Sequence, residues 1–166
     1  MTRTAISPRL AIRIFCSTAA NVGGVGGSAH LPGTPWLDVV EDGWPVGWTV
    51  RHLSETGSTN ADLVAVAEVA PDRTVLVTDH QTAGRGRMDR RWDAPPGTNL
   101  LVSMLFREVP DDPGELTRRT ALAASLAASA TANVDAMLKW PNDLLVDGAK
   151  LAGILAQRAA NGVRSW

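Results

Sequence analysis

"RTVLVTDHQTAGRGRMDRRWDAPPGTNLLVSMLF", residues 73–106, decides how this chain is built. It opens on "RTVLVTD" (73–79), rich in β-branched residues, and closes on "TNLLVSMLF" (98–106), a second apolar run of strand length. Between them "QTAGRGRMDRRW" (81–92) holds four arginines, Arg85, Arg87, Arg90 and Arg91, and two glycines, Gly84 and Gly86. Two buried strands would fix this loop at one end of a sheet, where ligands usually bind. The glycines let a ligand approach the main chain closely. Successive N–H groups in such a loop can form an anion-binding concavity, and Arg85 and Arg87 add planar forks that grip phosphate in bidentate fashion. On these residues alone three readings stand: a phosphate or nucleotide loop, a solvated charge run, or a contact with a nucleic-acid backbone. The third lacks the aromatic side chains that interleave with arginine in such surfaces.

Working outward, "WTVRHL" (48–53) alternates like a strand. "GSTNADLVAVAEVA" (57–70) reads as a helix with Ser58 or Thr59 as N-cap and Asp62 in its first turn. Leu63, Val66 and Ala70 mark its apolar face, and Pro71-Asp72 ends it. Beyond the arginine loop, the turn "VPDDPGE" leads into an alanine-rich helix, 115–132. "AMLKW" (136–140) is a short strand, and "DLLVDGAKLAGILAQ" (143–157) is a hairpin around Asp147-Gly148, a type I′ signal. The order β-α-β-loop-β-α-β-β predicts an α/β domain with a mixed sheet and helices packed on it.

Residues 1–46 have a different texture. "NVGGVGGSAHLPGTP" (21–35) carries five glycines and two prolines without hydrophobic periodicity, which is linker chemistry. Gly24-x-Gly26-x-x-Ala29 matches a loose dinucleotide fingerprint, but Pro32, Gly33 and Pro35 interrupt any following helix. The expectation is a flexible N-terminal extension over 1–46 and an ordered domain over 47–166.

Composition narrows the class. A chain of 166 residues suits one domain, or one domain plus a tail, and 45% apolar with 20% charged residues is ordinary globular usage. The formal net charge of −1 argues against a protein that binds polyanions over its whole surface. Cys16 is the single cysteine, so an internal disulfide and a cysteine zinc site are excluded. His30, His52 and His80 show no metal-ligand spacing, so no metal site is expected. The run Leu10–Cys16 is broken by Arg13, too short for a secretion signal, and no apolar run nears the ~20 residues of a membrane span. A cytoplasmic protein with reduced Cys16 and no membrane partner is expected.

Two further clusters carry chemistry. In "LKWPNDLL" (138–145), Lys139 lies on a short strand and points away from the face of Leu138, beside the turn Pro141-Asn142-Asp143. It reads either as a lysine on an exposed strand face or as a cation beside a second anionic ligand. In "GSTNADL" (57–63), Ser58, Thr59 and Asn60 gather donors at a strand-to-helix junction, either as a plain helix cap or as a ligand contact. There is no G-x-S-x-G and no Walker lysine loop, which disfavours serine hydrolases and P-loop enzymes.

Together "STNADL", "QTAGRGRMDRRW", "PPGTNLLVS" and "KWPNDLLVDGAKLAGIL" stand in the order and spacing of biotin protein ligases, and over roughly 48–157 the chain resembles the front half of that family's catalytic domain. The resemblance implies an α/β (α+β) domain like class II aminoacyl-tRNA synthetases, with a largely antiparallel mixed sheet and flanking helices. It implies activation of biotin by ATP with Mg2+ to biotinyl-5′-AMP, then transfer to a lysine of the biotin carboxyl carrier domain of an acyl-CoA carboxylase. Carried over by motif, Ser58, Thr59, Asn60 and Gln81 line the ureido pocket, with Arg85, Gly86, Arg87 and Lys139 completing the biotin site. Arg85, Arg87, Arg90, Trp92 and Asn142 face the nucleotide, and Lys139, Arg85 and Arg87 carry catalysis. A homodimer is compatible with the resemblance.

The sequence departs from the family pattern in three places. Asp89 replaces the third glycine of the family loop, and aspartate tolerates the left-handed backbone that glycine would supply there. No helix-turn-helix precedes the domain, so no DNA-binding repressor function is expected. After Gln157 the family continues through more sheet, a helical segment and a small β-barrel, which "AANGVRSW" (159–166) does not resemble. The domain is therefore expected to be incomplete, as after a truncation or frameshift. Two alternatives to an active ligase follow: a non-catalytic remnant that at most binds biotin, and a basic-loop nucleic-acid binder.

Overall fold

A computed structural model of the chain describes residues 9–16, 44–112, 114–159 and 164–165. The strands are β1 (Arg9–Cys16), β2 (Thr49–Thr56), β3 (Thr74–Gln81), β4 (Leu100–Phe106), β5 (Met137–Lys139), β6 (Asp143–Val146), β7 (Ala149–Ala159) and β8 (Arg164–Ser165). The helices are α1 (Thr59–Ala65) and α2 (Gly114–Ala132). One sheet runs β2-β3-β4-β1-β7-β6-β5, with β8 paired to β7. Among the described residues only β2 and β3 are parallel neighbours, and the other pairs are antiparallel. The mixed, largely antiparallel sheet expected from the sequence is present.

Each helix seals apolar positions on the sheet. On α1, Leu63 is fully buried and packs with Ala67 and Ala70 of the following turn against Leu76 of β3 and Leu105 of β4. On α2, Ala121 meets Ile154 of β7, while Ala124 and Ala128 pack on the cluster of Leu144, Leu151 and Ala152. Burying a Leu or Ile side chain is worth roughly 1.5–3 kcal/mol, so these contacts are what fixes both helices on the sheet. Helix α1 is shorter than its apolar spacing suggests. Its C-cap is Val66, and residues to Ala70 continue as turns whose N–H groups reach back to Val64 and Val66 carbonyls. At the β6–β7 hairpin, Asp147 (φ 50°) and Gly148 (φ 78°) both take the left-handed conformation that a type I′ turn demands.

The largest difference from expectation lies in residues 9–16. They form a strand in the middle of the sheet, whereas the expected flexible extension covers all of 1–46. β1 pairs with β4 from Leu10↔Phe106 to Cys16↔Leu100 and with β7 from Arg9↔Ala159 to Cys16↔Ala152. "RLAIRIFC" has the β-branched and aromatic content of a strand, and on both sides it satisfies backbone donors and acceptors that would otherwise lie at open edges. The glycine-rich stretch that suggests a linker, and with it the Gly24-x-Gly26-x-x-Ala29 match, lies outside the described residues. Among the described residues, no helix is long and apolar enough to cross a membrane.

Candidate functional site

The site begins where β3 ends and α1 starts. Ser58 caps α1, its side chain accepting from Ala61 N–H. Thr59 and Asn60, the first two helical residues, are buried, as are Gln81 at the end of β3 and Ser103 of β4. Thr59 donates its backbone N–H (2.9 Å) and its hydroxyl (3.1 Å) to Gln81 Oε1, and its hydroxyl lies 2.7 Å from Ser103 Oγ. Because a backbone N–H can only donate, Gln81 must present its oxygen to Thr59 and turn its Nε2 away. Asn60 is held from the other side: its Nδ2 donates to Gln157 Oε1 of β7 at 2.6 Å. The remaining ends, Gln81 Nε2 and Asn60 Oδ1, are both buried and find no hydrogen-bond partner among the described residues. Each unmet buried polar group costs about 1–3 kcal/mol. One buried donor and one buried acceptor are thus left open in the same network.

The arginine loop is a closed hairpin. Trp92 N–H donates to Gly84 O (2.9 Å), Gly86 N–H to Arg90 O (2.6 Å), and Arg85 pairs across to Arg91. At Gly84 a Cβ would sit 2.6 Å from the Trp92 carbonyl oxygen and 3.4 Å from Gln81 Nε2, so glycine is required by close approach. Gly86 has an ordinary φ of −97°, and the left-handed residue of the loop is Met88 at φ 54°. The left-handed turn expected at Asp89 therefore falls one residue earlier, inside a short 3-10 turn at 87–89.

Arg87 joins this loop to the second motif, its Nη1 donating to Asn142 Oδ1 at 3.0 Å. A cleft of about 400 Å³ opens beside that bond, walled by Arg87, Asn142 and Trp140 on one side and by Thr117 and Arg118 of α2 on the other. Asp112 closes the α2 end of it. Its hydrogen bonds to Arg118 and to Gly114 N–H hold its carboxyl below the usual carboxylate range. Arg85, Arg87 and Arg90 are exposed, and Arg91 lies 4.0 Å from the exposed Asp93.

Lys139 lies on the outer strand β5, exposed, in register with Asp143, and makes no ion pair among the described residues. A second lysine, missed by sequence reasoning, is better held. Lys150 Nζ lies 2.7 Å from Asp143 Oδ1, close enough for charge attraction though not aligned as a hydrogen bond. Plain alternation along β7 puts Lys150 with Ala152 and Ile154, facing α2. Register decides otherwise. Leu144 opposes Ala152 but Leu145 opposes Lys150, so Leu151 is an extra, bulged residue and Lys150 turns to the face of Gly153. A Cβ at Gly153 would lie 3.2 Å from the Lys150 Cε and Nζ, so glycine makes room for the ammonium. Two residues at a time, that face runs on through Leu155 to Gln157, the partner of Asn60. The bulge thus brings Lys150 onto the face of the buried amide network. Among the described residues, no group of three or more His, Cys, Asp or Glu side chains gathers as a metal site.

Comparison with known proteins identifies the family of the chain. Residues 53–165 match the model of the biotin/lipoate A/B protein ligase family. The chain is 44% identical over 123 residues to a biotin–[acetyl-CoA-carboxylase] ligase of Mycobacterium tuberculosis, covering 68% of this chain and 46% of that protein. It is 41% identical over 95 residues to the bifunctional ligase/repressor BirA of Bacillus spizizenii, covering 55% of this chain and 29% of that one. Among solved structures, a biotin protein ligase from Aquifex aeolicus in complex with biotin and ATP superposes with a TM-score of 0.52 at 28% identity, over 64% of this chain and 50% of that one. The chain spans half or less of the length of these relatives. From its matched segment and its sheet, the chain belongs to the biotin/lipoate A/B protein ligase family.

Proposed function

We propose that the chain binds biotin at the Thr59–Gln81–Asn60 network, condenses it with ATP to biotinyl-5′-AMP, and passes biotin to a lysine of a biotin carboxyl carrier domain in the cytoplasm. The observation that carries this reading is the pair of open amide ends, Asn60 Oδ1 and Gln81 Nε2. A ureido ring has N–H groups to donate to the first and a carbonyl oxygen to accept from the second. Ser58 and Thr59 complete that wall, and Gly84 brings the main chain close to Gln81. Residues from about 47 onward form the ligase portion, with β1 completing their sheet.

In the first step a biotin carboxylate oxygen attacks the α-phosphorus of ATP. A C–O–P bond forms, the bond to the β-phosphate oxygen breaks, and pyrophosphate leaves with the electron pair. The carboxylate is ionised at neutral pH and needs no general base. The barrier is the approach of two anions, so fixed cations are what the protein must supply. Arg85, Gly86 and Arg87 border the adenylate phosphate in this reading, with Arg90, Trp92 and Asn142 toward the nucleotide. Lys139 and Lys150 flank Asp143 at the same end, and Lys150, fixed by contact and by the bulge, takes the larger share. Mg2+ would arrive with the triphosphate and offset part of its negative charge. In the second step a lysine amine attacks the acyl carbon, its proton passes to solvent, and AMP departs.

Calorimetric titration with biotin, followed by MgATP and an assay for pyrophosphate, tests the reading. Biotin heat at one site per chain and biotin-dependent pyrophosphate release are expected. Absence of biotin binding would overturn it.

A further inference from the structure

Gln81 and Asn60 are amides whose two ends do opposite work, and each is oriented by a separate residue. For Gln81 the orienting group is the Thr59 backbone N–H, which fixes oxygen inward and nitrogen outward. For Asn60 it is Gln157, on β7, 97 residues away in the sequence. Gln157 Oε1 accepts from Asn60 Nδ2, which leaves Asn60 Oδ1 as the buried open end. Were Gln157 to present its own amide nitrogen, Asn60 would turn over and the network would offer donors alone. We infer that Gln157 is a positioning residue that sets the Asn60 side-chain amide with its oxygen toward the ligand, so that the site accepts a hydrogen bond at Asn60 and donates one at Gln81.

This rests on the reading that a ureido ligand occupies the site, and it assigns to β7 a part in ligand choice beyond carrying Lys150. A ligand with two carbonyl oxygens, such as a cyclic imide presented edge-on, meets the Asn60 oxygen with like polarity and is rejected. A ligand with an N–H beside a carbonyl is taken.

Biotin affinity of four proteins, read by calorimetry, tests it: the full chain, Gln157→Glu, Gln157→Met, and Gln157→Met combined with Asn60→Ala. A carboxylate can only accept, so Gln157→Glu must keep Asn60 in place and hold affinity within about threefold of the parent. Gln157→Met frees the Asn60 amide and weakens binding by roughly tenfold, the order expected for one mis-set buried hydrogen bond. On an Asn60→Ala background the same change has no further effect, because the residue it positions is gone. Gln157→Glu binding at least tenfold weaker overturns the inference, as does an undiminished penalty of Gln157→Met when Asn60 is already alanine. If Gln157→Met fails to fold by circular dichroism, Gln157→Glu alone decides. A parent chain that binds no biotin removes the ligand reading and this inference with it, whereas a binding parent with both variants equally weak removes only the role of Gln157.

Discussion

Arg87 Nη1 donates to Asn142 Oδ1 at 3.0 Å, which ties the tip of the arginine hairpin to the turn after β5 across 55 residues of sequence. Neither motif alone separates a phosphate loop from a solvated charge run. The bond between them makes one wall of the cleft, and the first prediction tests that wall. Arg87→Ala should lower the rate of biotinyl-AMP formation by on the order of 10²-fold, as when one preorganised charge is removed from an adenylating site. Arg87→Lys should recover only part, because an ammonium cannot supply the planar fork. Single-turnover pyrophosphate release measures both.

The two lysines are separated by the same assay. Lys150→Ala should slow adenylation by on the order of 10²–10³-fold, and Lys139→Ala by less than about tenfold. Equal losses would mean that exposure on β5 does not exclude Lys139 from the reacting anions.

Gly84 and Gly86 look alike in the sequence and differ in the fold. A methyl group at Gly84 meets the Trp92 carbonyl oxygen at 2.6 Å, whereas at Gly86 the nearest atom, Arg90 O, is at 3.4 Å. Gly84→Ala should open the hairpin and weaken biotin binding by roughly tenfold or more, since it displaces the residues beside Gln81. Gly86→Ala should leave biotin affinity within a few fold. Titration of both variants decides the order.

β1 joins the two halves of the site. Its Arg13 is in register with Ser103 on β4 and Leu155 on β7, and its Ala11 with Leu105 and Gln157. Ile12→Pro removes a backbone donor from the centre of the sheet and should cost about 3 kcal/mol or more. A urea unfolding midpoint unchanged by that substitution would show that residues 9–16 carry no weight in the fold.

Much of this was legible in the sequence, for identifiable reasons. β3 and β4 announce themselves by β-branched and apolar runs, the β6–β7 turn by Asp-Gly, and α1 by a serine cap. Ser58, Thr59, Asn60 and Gln81 fall together because they sit at the ends of those elements. What escaped depends on register and long-range pairing. Lys150 faces the site through a bulge at Leu151 that alternation does not reveal. β1 was hidden because its pairing partners lie some 90 and 140 residues away, beyond any local pattern. Met88 takes the left-handed turn although its type gives no sign of it.

The central claim is that Asn60 Oδ1 and Gln81 Nε2 are the open ends of a ureido site. Titrating biotin into the full chain and into Asn60→Ala by calorimetry tests it most directly. The account predicts one biotin per chain in the parent and affinity lower by on the order of tenfold or more in Asn60→Ala, with the melting temperature retained. Equal affinity in the two proteins, or no binding to the parent, would contradict it.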